Sequence, residues 1–141
     1  MDNFSTGFKI KTAANLLKRQ INNAVLKSGD MTALHCWIIG CLYESRDGLF
    51  QRDIEQKFNI RRSTATQILK VMEKNGLISK ERVSRDRRLK KLLLTPKAVK
   101  MHEAALEEIR AIEARMLSGI SAGELEVFDR VLGKIVQNLQ G

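Results

Sequence analysis

The chain has 141 residues, of which 43% are hydrophobic and 29% are charged, a composition typical of one ordered globular domain and not of a disordered or fibrous protein. The net charge of +9 favours an anionic partner, and two cysteines are too few for a disulfide framework.

The positive charge is concentrated in the middle of the chain. Residues 46–100 contain sixteen Lys/Arg and six Asp/Glu, whereas the remainder contains nine and ten. Basic residues that served only solubility would be spread evenly. The uneven distribution therefore predicts that residues 46–100 contact a polyanion such as nucleic acid.

No segment is predicted to enter a membrane. The longest apolar stretch, residues 34–43, is interrupted by His35 and is too short to span a bilayer. The first residues lack the basic start and the apolar run of a secretion signal. We therefore expect a cytoplasmic protein.

Two helices are predicted at the start of the chain. The first covers residues 8–27, where apolar residues recur at helical spacing, and it is interrupted at residues 28–30. The second covers residues 32–44 and carries Trp37, which we expect to lie in the core.

Two shorter helices follow a turn at residues 45–48. They are predicted at residues 51–58 and 62–75, and the three-residue link between them has the length that a helix-turn-helix requires. The later helix of this pair has apolar residues at i, i+3, i+4 and i+7, which predict one buried face: Ala65, Ile68, Leu69 and Met72. Its outward side chains are short hydrogen-bonding groups and a cation, suited to base edges and phosphates: Ser63, Thr64, Thr66, Gln67 and Lys70.

A hairpin pattern comes directly after this helix. Strands are predicted at residues 77–83 and 89–94, and an arginine-rich segment joins them. A helix-turn-helix followed by a hairpin is the order of a winged helix-turn-helix. We therefore predict a mainly α fold, in which this module with its two-stranded wing is flanked by dimerisation helices.

Two further helices are predicted after the wing. Thr95 as N-cap and Pro96 in the first turn begin a helix that runs to about Leu117. A capping box at Ser121 and Glu124 begins the last helix. Its apolar residues step by three and four to the end of the chain, a spacing that predicts a partner surface.

The first helix and the last two have apolar stripes with few candidate partners inside the chain. We therefore predict a homodimer, and the alternative is that these helices fold back as a single-chain bundle. The predicted parts are N-terminal dimerisation and scaffold helices (1–45), a DNA-binding module (46–95) and C-terminal dimerisation helices (96–141).

The sequence resembles the MarR-type transcriptional regulators. The likeness rests on residues 63–66 (STAT), residues 72–78 (MEKNGLI) and the DRR at 86–88 with the LT at 94–95, and the flanking helices match the family from end to end. The resemblance implies a triangular homodimer, a minor-groove role for Arg88 and a wing-bracing role for Asp86. Phe50 departs from the family, which usually has a threonine or serine N-cap there, and Ala98 stands where glycine is usual.

The predicted DNA contacts lie on the recognition helix and on the wing tip. Phosphates also meet the backbone amides at a helix start, which is where the first two arginines lie. Gln51 is a weaker candidate for a backbone contact, and Lys90 and Lys91 are predicted to point to opposite faces of a strand. The full set is Arg61, Arg62, Ser63, Thr64, Thr66, Gln67, Lys70, Arg85, Arg87 and Arg88.

The sequence offers candidate residues for two kinds of regulation. The resemblance places a pocket for a small-molecule effector near the second and fifth helices, around His35, Trp37, Ile38 and Met101. Alternatively Cys36 or Cys41 is an oxidation sensor, as in some relatives, although buried cysteine is usually inert. The two thiols point in different directions on one helix, which argues against an internal disulfide.

The sequence does not support catalysis, a metal site or a cofactor. Its two histidines, His35 and His102, lie on separate helices, and no glycine-rich phosphate loop or nucleophile elbow is present. A thiol enzyme would need a histidine beside a cysteine, but His35 and Cys36 point about 100° apart on a helix. The sequence therefore favours a repressor that binds a palindromic operator. The alternative function is a winged helix that docks protein or RNA, which would need an apolar recognition helix.

Overall fold

The fold is described from a computed structural model, which defines residues 5–25, 32–83 and 89–141. Within these residues lie six helices and one antiparallel strand pair: α1 (Thr6–Val25), α2 (Ala33–Glu44), α3 (Gln51–Phe58), α4 (Arg62–Lys74), β1 (Ile78–Arg82), β2 (Lys90–Leu94), α5 (Pro96–Met116) and α6 (Ala122–Gln140). The predicted fold class and the order of elements are confirmed. None of the described helices is both long and apolar enough to cross a bilayer.

The chain divides into two compact units, Met1–Ile109 and Arg110–Gly141, and the boundary falls inside α5. The first unit contains the helix-turn-helix and the wing. The functional division at residues 45 and 95 remains a prediction.

The rotation of α4 about its own axis is fixed by its buried face. Ala65, Leu69 and Met72 have no exposed surface, and Ile68 is half-buried. Burying a large apolar side chain contributes about 1.5–3 kcal/mol. This face therefore packs inward, as predicted, and the opposite face of α4 stays in solvent.

Helix α3 begins at Gln51 as predicted, although Phe50 has no side-chain acceptor for a cap. The carboxylate of Asp53 accepts a hydrogen bond from the Phe50 N–H at 2.8 Å, which is the reciprocal half of a capping box. The helix ends at Asn59, whose φ of 51° is left-handed, a conformation that asparagine tolerates better than most residues. The departure at Phe50 therefore does not shift the start of the helix.

The expectation that Trp37 lies in the core is wrong for the single chain. Trp37 is 41% exposed. Helix α2 is apolar around most of its circumference, and the buried positions leave the side of Trp37 facing outward, with half-buried Cys41 one turn later. The buried positions are Ala33, Cys36, Ile38, Ile39 and Leu42.

The wing is a hairpin with an additional bridge. Strands β1 and β2 pair from Ile78↔Leu94 to Arg82↔Lys90. On the other edge of β2, the Leu92 N–H donates to the Leu49 carbonyl at 2.7 Å, and the Leu49 N–H donates to the Leu92 carbonyl at 3.2 Å. This bridge was not predicted, and it ties the wing to the segment that leads into α3.

Thr95 joins three elements. Its hydroxyl donates to the Gly76 carbonyl at 2.6 Å and accepts from the Ala98 N–H at 3.2 Å. The Lys97 ammonium adds a bond to the Asn75 carbonyl at 2.9 Å, and Gly76 has the left-handed φ (74°) that ends α4. Thr95 therefore caps α5, as predicted, and also fixes the turn between α4 and β1.

Helix α6 begins with the predicted capping box. The Ser121 hydroxyl accepts from the Glu124 N–H at 3.1 Å, and the Glu124 carboxylate accepts from the Ser121 N–H at 3.0 Å. These bonds favour the ionised carboxylate and lower the pKa of Glu124. No residue of α6 is buried in the single chain.

Gly48 is expected to be required for the bridge between Leu49 and β2. Its φ is +94°, and a Cβ there would lie 3.1 Å from the Leu92 carbonyl oxygen and 3.0 Å from Leu93 Cδ2. We expect Gly48→Ala to lower the free energy of unfolding in urea by about 1–3 kcal/mol, from backbone strain and the steric conflict together.

Gly119→Ala is the matched control for this prediction. Gly119 also has a positive φ (+79°), but an added Cβ would meet nothing within 4 Å. It therefore reports the backbone strain alone. Equal losses for the two variants would show that contact with β2 adds nothing at Gly48.

Candidate nucleic-acid interface

The exposed side of α4 carries the polar residues that the sequence predicted to face DNA. Ser63, Thr64, Thr66, Gln67 and Lys70 are all exposed. Ser63, Gln67 and Lys70 lie within about 60° of one another, opposite the buried face. Thr64 and Thr66 lie on opposite flanks, about 160° apart, so the five residues cover most of the exposed surface and do not form one narrow face.

One apolar side chain interrupts this surface. Val71 is 46% exposed and lies on the same flank as Thr64 by helical geometry. The centre of the exposed side remains polar and cationic. Its chemistry suits base edges and phosphates better than an apolar protein surface.

The start of α4 is open to an anion. Arg61 is the N-cap residue and makes no side-chain cap, and both Arg61 and Arg62 are exposed. The first-turn amides of a helix have no intrahelical acceptor, and the helix dipole favours negative charge there. Two guanidinium groups beside these amides can receive a phosphate.

Gln51 and Thr66 are hydrogen-bonded. The Gln51 Nε2 donates to the Thr66 hydroxyl at 2.9 Å and lies 3.4 Å from the Arg62 carbonyl oxygen. The sequence suggested both residues as separate DNA contacts. It could not indicate the bond, because the two residues are fifteen positions apart and belong to no common motif.

A groove of about 330 Å³ separates the helix pair from the wing. Its lining includes four cationic side chains and one carboxylate: Phe50, Gln51, Arg52, Glu55, Arg62, Thr66, Lys80, Leu89, Lys90 and Leu92. The Arg52 guanidinium lies over the Phe50 ring, 5.5 Å from its centroid. Of the four cations, only Arg62 was in the predicted contact set.

Neighbouring lysines on β2 differ as predicted. Lys90 is exposed and lines the groove, whereas Lys91 is half-buried. Strand alternation gives this pattern. The alternation alone does not show which of the two lysines faces the groove, because that depends on where the groove lies in the fold.

The predicted wing-tip residues lie outside the described part of the chain. These are Arg85, Arg87 and Arg88, together with the bracing residue Asp86. Their roles remain predictions.

The residues predicted for an effector pocket differ in exposure. Ile38 is fully buried, Trp37 is exposed, and His35 and Met101 are half-buried. Burial lowers the pKa of His35, and within the described residues its Nδ1 has no hydrogen-bond partner. The effector pocket remains a prediction.

The two cysteines have different environments. Cys36 is buried, and desolvation raises its pKa, so little reactive thiolate is present at neutral pH. Cys41 is half-buried. Within the described ranges, no three His, Cys, Asp or Glu side chains are grouped to hold a metal ion.

Comparison with known proteins gives a consistent result. Residues 29–89 match the model of the MarR family. The transcription regulator MarR from Oenococcus oeni PSU-1 is 29% identical, with a TM-score of 0.83 over 94% of this chain and 99% of that one.

Two solved complexes with DNA share the fold. The S. aureus MepR–DNA complex is 24% identical, with a TM-score of 0.86 over 99% of both chains. The M. tuberculosis transcriptional regulator MOSR in complex with DNA is 19% identical, with a TM-score of 0.81 over 98% of this chain and all of that one (100%). At these identities the similarity shows the fold.

Alkylation should distinguish the two cysteines. In the folded protein at neutral pH, we expect iodoacetamide to modify the Cys41→Ser variant, which keeps only Cys36, more slowly than the Cys36→Ala variant, which keeps only Cys41. Burial and the raised pKa both protect Cys36. Mass spectrometry measures the rates, and in urea the two variants should react alike. Faster reaction of Cys36 in the folded protein would support Cys36 as the sensor.

Proposed function

We propose that this chain is a member of the MarR family of transcription regulators, whose model matches residues 29–89, and that it represses transcription by binding a palindromic operator as a homodimer. The exposed polar side of α4 carries this proposal. The S. aureus and M. tuberculosis complexes contain DNA on the same fold, which supports double-stranded DNA as the partner. A small-molecule effector would release the repressor.

The orientation of α4 is fixed by packing, which a helix that recognises DNA bases requires. The fully buried Ala65, Leu69 and Met72 fix its rotation, so the opposite side has a defined orientation. There, Gln67 can bond an adenine edge bidentately, and Lys70 can contact phosphate or guanine. Directed side chains on a rigid helix are what base recognition requires.

Charge supports binding to the DNA backbone. Residues 46–100 hold sixteen of the 25 Lys/Arg residues and only six of the 16 Asp/Glu residues. Contacts between these cations and phosphates release counterions, so the affinity is expected to fall steeply with salt. This contribution does not depend on sequence and complements the reading by α4.

Exposed apolar side chains at both ends of the chain support a homodimer. On α6, Phe128 is 56% exposed and Leu139 is 80% exposed, and on α1 Leu16 is 53% exposed. Covering such surfaces with a second copy removes apolar area from water. Two copies would present two α4 helices to half-sites about one helical turn apart.

Substitutions on α4 should separate base reading from phosphate contact. We expect Gln67→Ala to reduce the preference for the operator over random duplex by about 1–3 kcal/mol, because a base contact is lost. Lys70→Ala should weaken binding to both duplexes and reduce the salt slope by about one. Fluorescence anisotropy at several salt concentrations measures both. If both variants lose affinity equally on operator and random DNA, α4 does not read bases.

A charge on the apolar seam of α6 should dissociate the dimer. The wild type is expected to have twice the chain mass in light scattering at micromolar concentration, and Phe128→Asp to have the mass of one chain, because a carboxylate in an apolar interface is costly. Gln137→Asp makes the same charge change on the opposite side of α6, where the residue is exposed, and should stay dimeric. A wild type of single-chain mass would refute both the dimer and the palindrome.

A further inference from the structure

We infer that Gln51 is a positioning residue for DNA binding: it holds the Thr66 hydroxyl so that its hydrogen is offered to a backbone phosphate in the groove between α3, α4 and the wing. This inference rests on the proposed function. It adds one phosphate site and the residue that organises it.

The polarity of the bond follows from its third member. The Gln51 amide group lies 2.9 Å from the Thr66 hydroxyl and 3.4 Å from the Arg62 carbonyl oxygen. A backbone carbonyl can only accept, so the NH₂ end of the amide faces both oxygens. Thr66 therefore accepts in this bond, and its own hydrogen is left to donate.

Within the described part of the chain, the Thr66 hydroxyl makes no hydrogen bond in which it is the donor, and Thr66 is exposed. A hydroxyl can accept and donate at the same time. Because Gln51 occupies an acceptor site on the oxygen, the hydroxyl hydrogen is directed away from the amide and can be donated to an external group. An external hydrogen-bond acceptor completes the arrangement.

The charge of the groove favours an anion as this acceptor. Arg52, Arg62, Lys80 and Lys90 line the groove together with one carboxylate, Glu55. A phosphate oxygen suits four cations and a hydroxyl donor, and a hydrogen bond to a charged acceptor is stronger than one to a neutral base.

The position of Thr66 favours phosphate over a base edge. Thr66 lies on the flank of α4 that faces Gln51, about 60° from the direction of Ser63 and about 100° from that of Gln67. In a helix-turn-helix the earlier helix crosses the DNA backbone while the recognition helix enters the groove. The flank toward α3 is therefore expected to meet the backbone. Of the two kinds of contact predicted for the exposed side of α4, base edge and phosphate, phosphate is the one we infer for Thr66.

Neutral phosphates in the DNA provide the test. The DNA used is the duplex that binds most tightly among those selected from a random pool. Each variant of this duplex carries one methylphosphonate, in which a methyl group replaces a charged phosphate oxygen. For the wild type, we expect one position in each half-site where the methylphosphonate lowers the affinity. At that position the loss of affinity should be about tenfold smaller for Thr66→Val than for the wild type, and this ratio is the coupling between Thr66 and the phosphate. Thr66→Ser keeps the hydroxyl and should keep the cost.

Substitution of Gln51 then tests its role. Gln51→Ala should shrink the tenfold coupling between Thr66 and that phosphate to about threefold or less, because the hydroxyl is no longer oriented. Gln51→Glu should abolish the coupling, since a carboxylate accepts the Thr66 hydrogen and also repels phosphate. A merely structural role of Gln51 would weaken binding to every duplex alike and leave the coupling unchanged.

The outcomes separate this inference from the proposed function. A Gln51→Ala variant that keeps the full coupling would overturn the inference about Gln51. A Thr66→Val variant that loses affinity only for the selected sequence, and not for random DNA, would also overturn it, because such a loss indicates a base contact. Selective binding by the wild type without any coupling would refute the inference alone. A wild type that binds no duplex would refute the proposed function as well.

Discussion

The hydrogen bonds of Thr95 connect the parts of the DNA-binding module. One hydroxyl satisfies the Gly76 carbonyl beyond the end of α4 and the Ala98 amide at the start of α5, and an unsatisfied polar group at such a site would cost about 1–3 kcal/mol. The Leu49 bridge holds β2 from its other edge. The direction of the wing relative to α4 follows from these two attachments. The recognition helix and the strand pair can therefore act on DNA as one piece.

Most of the fold could be predicted because the information is local. The apolar period of α4 identified Ala65, Leu69 and Met72 as its buried face, and the Ser121–Glu124 capping box marked the start of α6 within four residues of sequence. The segment before α3 was less clear, because Phe50 lacks the usual side-chain cap. Asp53 supplies the bond from inside the helix, and the helix start is unchanged.

What could not be predicted depends on contacts between distant residues. The bond from Gln51 to Thr66 and the bridge from Leu49 to Leu92 join positions that no periodicity relates. The prediction that Trp37 lies in the core was wrong for a different reason. Helix α2 is apolar on nearly all sides, so the sequence of this helix does not show which side faces the core. Within the candidate interface, the sequence identified the exposed residues of α4. The groove and the further cations that line it could be identified only from the fold.

The absence of any buried side chain on α6 also affects how this protein is maintained in the cell. In the homodimer that we propose, the free energy gained by covering this helix belongs to association, so by mass action the stability of the folded chain depends on its own concentration. At low concentration, the proposed repressor would occupy fewer operators, and a smaller fraction of its chains would be folded. Its unfolded fraction would be exposed to proteolysis, so the amount of folded protein would fall quickly once synthesis stopped.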